Sequence, residues 1–122
     1  MTFEVIELLS DEEGQPYLGK AEINLRTSNF DLIGDQANMS VPTSCRQIVY
    51  LKFPVGFKSA SRIPDREQTA VVLTGSLRIS ANETQAIIAK PGEVFRLPKA
   101  KISEHTLEVV GDCPVTLMVM IA

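Results

Sequence analysis

His105 is the single histidine among 122 residues. A lone imidazole either acts as a general base or acid near neutral pH or serves as a hydrogen-bonded structural group. A second chemical candidate lies in residues 56–75, GFKSASRIPDREQTAVVLTG, where two glycines frame a polar segment and an apolar run. Within it Arg62 carries a permanent guanidinium that repels cations and attracts carboxylate or phosphate. Plain alternatives are an Arg62 that points from a loop into solvent, or one that pairs with Asp65 or Glu67. Other candidates read as structure. Cys45 and Cys113 are far apart, with no CxxC pair or nearby histidine to complete a zinc site, and read as buried reduced thiols. Met118 and Met120 alternate with Leu117, Val119 and Ile121 as core or dimer-interface filler rather than copper ligands. Asp11-Glu12-Glu13 is a solvated acidic loop with too few oxygen ligands at fixed spacing for calcium.

The bulk numbers bound the rest. A chain of 122 residues makes one domain, 1–122, with room for a single core. Hydrophobic content of 44% against 22% charged residues is that of an ordinary globular protein and excludes a disordered tail. The net charge of −3, with scattered basic residues, leaves no footprint for nucleic acid. No apolar run approaches the ~20 residues that cross a bilayer, and MTFEVIELLSDEEG lacks the basic start of a signal peptide. A cytoplasmic protein with no membrane partner is the expectation.

Short β-rich runs must position these residues. FEVIELL is short and apolar, and its β-formers tip it towards a strand. SDEEGQPYLG and GDQANMSVPTS read as loops, with AEINLRTSNF a weakly alternating segment between them. From residue 46 the pattern sharpens: RQIVYLKF, EQTAVVLTGSLRIS, TQAIIAK, EVFRLP, HTLEVV and VTLMVMI are separated by glycine, proline and asparagine. SANE reads as a hairpin turn, and Lys90-Pro91-Gly92-Glu93 as a type II turn. Many short strands at near-regular spacing predict an all-β sandwich or barrel. Gln68, Ala70 and Val72 share one face of a strand and Thr69, Val71 and Leu73 the other. Both faces are largely apolar, which predicts cover by a second sheet or a second subunit, and hence a homodimer.

Gly56 is followed after five residues by Arg62, then Pro64, after three more Gln68 and after six more Gly75. These are the spacings of the first cupin motif, G(x)5HxH(x)3E(x)6G, with Arg62, Pro64 and Gln68 in the ligand places. The second motif, G(x)5PxG(x)2H(x)3N, is met by Gly92 and Pro98, with Ala100 in the glycine place. Counting on from Pro98 puts Ser103 at its histidine; counting back from Gly111-Asp112 puts His105 there. Two residues apart, both would share a face of an extended strand. The chain thus resembles the cupin superfamily, whose fold is a double-stranded β-helix or jelly roll. From about Gly14 to the end it is similar to small single-domain cupins of undefined function. Those tend to carry a proline-glycine-aromatic turn, a histidine where Arg62 stands, a glutamine like Gln68, and a late histidine before a VVGD turn. The resemblance implies N-terminal strands and loops over about 1–45 and the barrel core over about 46–122.

A cupin metal site normally takes three histidines and a glutamate. Arg62 and Pro64 donate nothing, and Gln68 offers a neutral oxygen. No metal and no other cofactor is expected. The reading is a non-metal cupin that binds a small polar or anionic molecule in the barrel, with Arg62, Gln68, Ser103 and His105 lining the pocket. One alternative is a small-molecule enzyme, isomerase- or epimerase-like or weakly metal-dependent, with His105 transferring a proton. Another is a non-catalytic protein-interaction or sensor module.

Overall fold

The computed structural model describes residues 1–82, 85–99 and 104–122. Among them the chain forms eleven strands and no helix, so no helix is long and apolar enough to cross a membrane. The strands are β1 Thr2–Ser10, β2 Pro16–Asn24, β3 Arg26–Phe30, β4 Asp35–Met39, β5 Gln47–Phe53, β6 Gln68–Thr74, β7 Ser76–Asn82, β8 Gln85–Ala89, β9 Val94–Leu97, β10 Thr106–Val110 and β11 Val115–Ile121. A six-stranded sheet runs in the order β2-β1-β9-β6-β11-β5, and a three-stranded sheet in the order β10-β7-β8.

Alternation decides which side chains meet between the sheets. Leu77 and Ile79 of β7 face Val72, Val115 and Leu117 of the large sheet, and none of the five is more than 1% exposed. Burial of each such side chain stabilises by about 1.5–3 kcal/mol. β1 belongs to the same core through Ile6 and Leu8, because it pairs antiparallel with β2 and parallel with β9. Arg96 of β9 and Glu7 of β1 form an ion pair across that parallel junction, with Arg96 Nε donating at 2.8 Å.

Most expected strands form. EQTAVVLTGSLRIS is cut at Gly75 into β6 and β7, and Glu93 N–H donates to the Lys90 carbonyl at 2.9 Å around a Gly92 of φ +87°, the geometry of a type II turn. Three expectations need correction. In the first loop only Asp11–Gln15 turns, and Pro16 to Gly19 already pair with β1. Asp35–Met39, read as loop, is β4, because its backbone finds β3 across a short turn; Asp and Asn are poor strand formers that a hairpin partner overrides. Cys45 and Cys113 are free but exposed, since they stand in the connections just ahead of β5 and β11 rather than inside strands. In the predicted SANE turn Ser80 to Asn82 still belong to β7, Asn82 pairs with Gln85, and Glu83 lies outside the described residues.

Candidate functional site

The segment after Gly56 runs beside β10 as an irregular extra strand. Lys58 stands opposite Glu108 and Arg62 opposite His105. Arg62 and His105 exchange both backbone bonds, at 3.0 and 2.8 Å. Four steps separate Lys58 from Arg62, but three separate Glu108 from His105, so the 58–62 side carries one extra residue, a β-bulge. Ser59 fits the backbone to it. Its N–H donates to the Leu107 carbonyl at 2.8 Å, and its Oγ accepts the Leu107 N–H at 2.9 Å where a ladder carbonyl would otherwise serve.

The bulge decides where Arg62 faces. In an unbroken strand Lys58 and Arg62 would share a face. With one residue inserted, Lys58 stays outside beside Glu108 while Arg62 joins His105, since cross-strand partners share a face. That face is the inner one, because His105 alternates with Leu107 and with Val109 of the core.

A cavity of about 470 Å³ opens there. Arg62, Gln68 and His105 are at its wall, Phe53 and Phe57 stack on one another with centroids 4.4 Å apart, and Leu97 and Leu107 complete an apolar floor. Arg62 is nonetheless exposed, a rim residue in contact with water, and it forms no ion pair with Asp65 or Glu67 among the described residues. Ser103, the fourth expected pocket residue, lies outside the described residues. Sequence reasoning missed Phe53 and Phe57. The signal was an aromatic residue directly after Gly56 and another four positions earlier, closing the preceding strand.

His105 is 9% exposed, and its Nδ1 is buried with no hydrogen-bond partner among the described residues. Burial pushes the imidazole below its ordinary value of 6.5; the adjacent Arg62 carbonyl pulls it back up, and the Arg62 guanidinium adds to the lowering. As pH falls below 6.5, the unfolded chain takes up this proton before the folded one does. Stability from this group is therefore full above 6.5 and declines as pH drops towards the lowered folded value. The urea midpoint of the wild type is expected to fall across that window, and His105→Asn to flatten this component. A wild-type midpoint that rises towards acid would contradict it.

The donor set does not fit a divalent transition metal. At the usual ligand places the inner face offers one imidazole, one neutral amide oxygen and a permanent cation, where such an ion needs several imidazole or carboxylate donors. Among the described residues no group of three or more His, Cys, Asp or Glu could hold one. Protein loaded with zinc, manganese or iron(II) and then dialysed is expected to retain far less than one ion per chain, by elemental analysis. One ion per chain would overturn this.

A larger cleft, about 850 Å³, opens beside the outer face of the small sheet. Size favours it, but its acids already have partners. Glu108 pairs with Arg78 at 3.2 Å and with Lys58 at 3.9 Å, and Glu104 accepts a hydrogen bond from Ser61 at 3.0 Å. The smaller cavity is lined by Arg62, which makes no ion pair among the described residues, together with Lys58 and Asp65.

No family model and no curated protein matches the sequence. Solved structures do match the fold. The Schizosaccharomyces pombe Cnp3 cupin domain aligns over 100% of this chain and 82% of its own, at 15% identity and TM-score 0.56. A Rhizobium leguminosarum protein of unknown function aligns over 60% of this chain at 23% identity and TM-score 0.51, and the match spans 66% of that protein, just under two thirds. A cupin-superfamily sugar phosphate isomerase from Silicibacter pomeroyi aligns over 60% of this chain and 47% of its own, at 19% identity and TM-score 0.51. Likeness at such identities concerns architecture, and with the two facing sheets and the glycine frame from Gly56 to Gly75 it makes this chain an all-β, jelly-roll protein of the cupin fold.

Proposed function

We propose that the barrel mouth binds a small organic anion, a carboxylate or phosphate ester, with Arg62 as its clamp. The observation that supports this reading is the bulge between Lys58 and Arg62, with Arg62 opposite His105, outside any ion pair among the described residues, and beside a cavity with an aromatic floor. The guanidinium takes the anionic group in a two-pronged hydrogen bond. Gln68 and the neutral His105 each offer both a donor and an acceptor to the remaining polar atoms. Phe53, Phe57 and Leu107 bury the carbon skeleton. The cavity has the volume of a small metabolite site. Calorimetric titration with inorganic phosphate and with small mono- and dicarboxylates is expected to give saturable binding to one site per chain. No heat and no thermal stabilisation across that panel would remove the reading.

A second reading is favoured by the unpartnered Nδ1: the bound anion is also a substrate, and His105 exchanges a proton with it. A neutral imidazole held below its ordinary pKa is a competent base near neutral pH. Exchange of a ligand carbon-bound proton for solvent deuterium, followed by NMR, is expected in the wild type and lost in His105→Gln. Exchange that survives the substitution assigns it to another group.

A further inference from the structure

The large cleft beside the small sheet is built of paired charges and hydroxyls. Strand alternation turns Leu77 and Ile79 into the core, so Arg78 and Ser80 face outwards. Register sets Arg78 opposite Glu108 and Ser80 opposite Thr106, and the four make a polar grid across β7 and β10. Arg78 Nη1 donates to Glu108 Oε1 at 3.2 Å, and beside them Ser61 Oγ donates to Glu104 Oε2 at 3.0 Å. Neither pair is saturated, because a guanidinium carries several N–H donors and each carboxylate several lone pairs.

The far wall of the cleft is the turn between β1 and β2, and it is held in place. Asp11 Oδ1 accepts the Glu13 and Gln15 N–H groups, each at 2.9 Å, which shapes the turn. Asn82 Nδ2 donates to the Pro16 carbonyl at 3.2 Å. Gln85 Oε1 accepts the Leu18 N–H at 2.8 Å and its Nε2 donates to the Leu18 carbonyl at 3.3 Å. These bonds tie the turn and the start of β2 to β7 and β8, so the concavity is preformed and a ligand spends little on ordering it.

The lining selects among ligands. Among the described residues its bases are Lys58 and Arg78 and its acids Glu104 and Glu108, so a single charge of either sign gains no net attraction. Its apolar members are Gly14, Pro16 and Ala81, with no phenylalanine, tyrosine or long aliphatic side chain among the described lining residues to cover a flat aromatic or an apolar molecule. A neutral molecule rich in hydroxyls meets donors and acceptors at fixed places and breaks no ion pair. We infer that this cleft is a second binding site, for a neutral saccharide of one or two rings. Arg78 and Glu108 take adjacent ring hydroxyls, one as donor and the other as acceptor, and Ser80 and Thr106 take the next. The volume of about 850 Å³ falls within the range of small-molecule sites. Arg62 has no part in it, so the inference stands or falls separately from the anion-binding reading.

Proton–nitrogen NMR of the full chain, titrated with glucose, galactose, maltose and lactose, tests it. Saturable shifts are expected in the backbone amides of Ser80, Thr106 and Glu108 for at least one of these sugars. His105 backs both the cleft and the smaller cavity, so its ring does not separate the two sites. Arg62→Ala is expected to leave the sugar Kd unchanged. Ser80→Leu, at a half-buried outward position, fills the cleft and is expected to raise that Kd roughly tenfold or more. Thr106→Val removes one hydroxyl at nearly constant volume, is the gentler variant if Ser80→Leu unfolds the chain, and is expected to raise the Kd about fivefold. No saturable shift from any of the four sugars overturns the inference. So does a sugar that shifts Gln68 and Leu107 in place of the β7 and β10 amides, or one whose binding neither substitution weakens.

Discussion

Gly75→Ala is expected to be the most damaging single methyl in this protein. Gly75 joins β6 to β7 at φ +77°, where a residue with a Cβ is disfavoured by about 1–2 kcal/mol. A Cβ there would also lie 2.4 Å from the Pro114 carbonyl oxygen and 2.9 Å from Val115 Cγ2. The first neighbour is backbone, fixed by the start of β11, so the strand itself must shift, at about 1–3 kcal/mol. Together a loss of about 3 kcal/mol or more is expected, a large part of the stability of a domain this size. Gly56 supplies the control. Its φ is +82°, but nothing lies within 4 Å of a Cβ built on it. Gly56→Ala is therefore expected to cost only the backbone component. Urea unfolding of both variants checks the pair, and equal losses would show that the Pro114 contact does not matter. The two glycines of the motif thus serve different ends, one a crowded crossing and the other an open turn.

The second large effect is expected at Arg62. Its side chain is exposed, so Arg62→Ala should leave stability within about 0.5 kcal/mol of wild type, as surface substitutions usually do. Affinity for a small anion should behave otherwise. Hydrogen bonds to a charged group are worth about 1.5–3 kcal/mol, which amounts to a loss of roughly ten- to a hundredfold in Kd. Arg62→Lys keeps the charge but not the planar fork and is expected to fall between. Calorimetry on the three proteins orders them. Equal affinity for all three would take Arg62 out of the site, and a loss of folding in Arg62→Ala would give it a structural role that its exposure does not suggest.

Sequence carried the fold further than the site. The glycine frame Gly56–Gly75, the alternation in β6 and the Lys90–Glu93 turn are local patterns, and each reappears in the structure. β4 was not legible, since its residues have low strand propensity and pair only because β3 lies across the turn. Whether Arg62 points to the pocket or to solvent was also not legible. The direction rests on one extra residue opposite β10, and a pairing register depends on two segments far apart in sequence. Arg62 is exposed and stands among the residues that line the cavity. The small residues Ser59-Ala60-Ser61 were the only local trace of the bulge, and Ser59 became informative once its hydroxyl was seen to take the Leu107 N–H.

The central claim, that Arg62 and His105 face one anion-binding cavity, is most directly tested on the imidazole itself. His105 is the single histidine, so its ring resonances are unambiguous. Its NMR titration is expected to give a pKa below 6.5 in the free protein, because the ring is buried beside the Arg62 charge. Saturating inorganic phosphate, or the best-binding carboxylate from the calorimetric panel, should raise that pKa in the wild type by neutralising Arg62 and placing an anion at the ring. It should leave the pKa in Arg62→Ala unchanged. A His105 pKa that does not respond to any bound anion in the wild type would contradict the account.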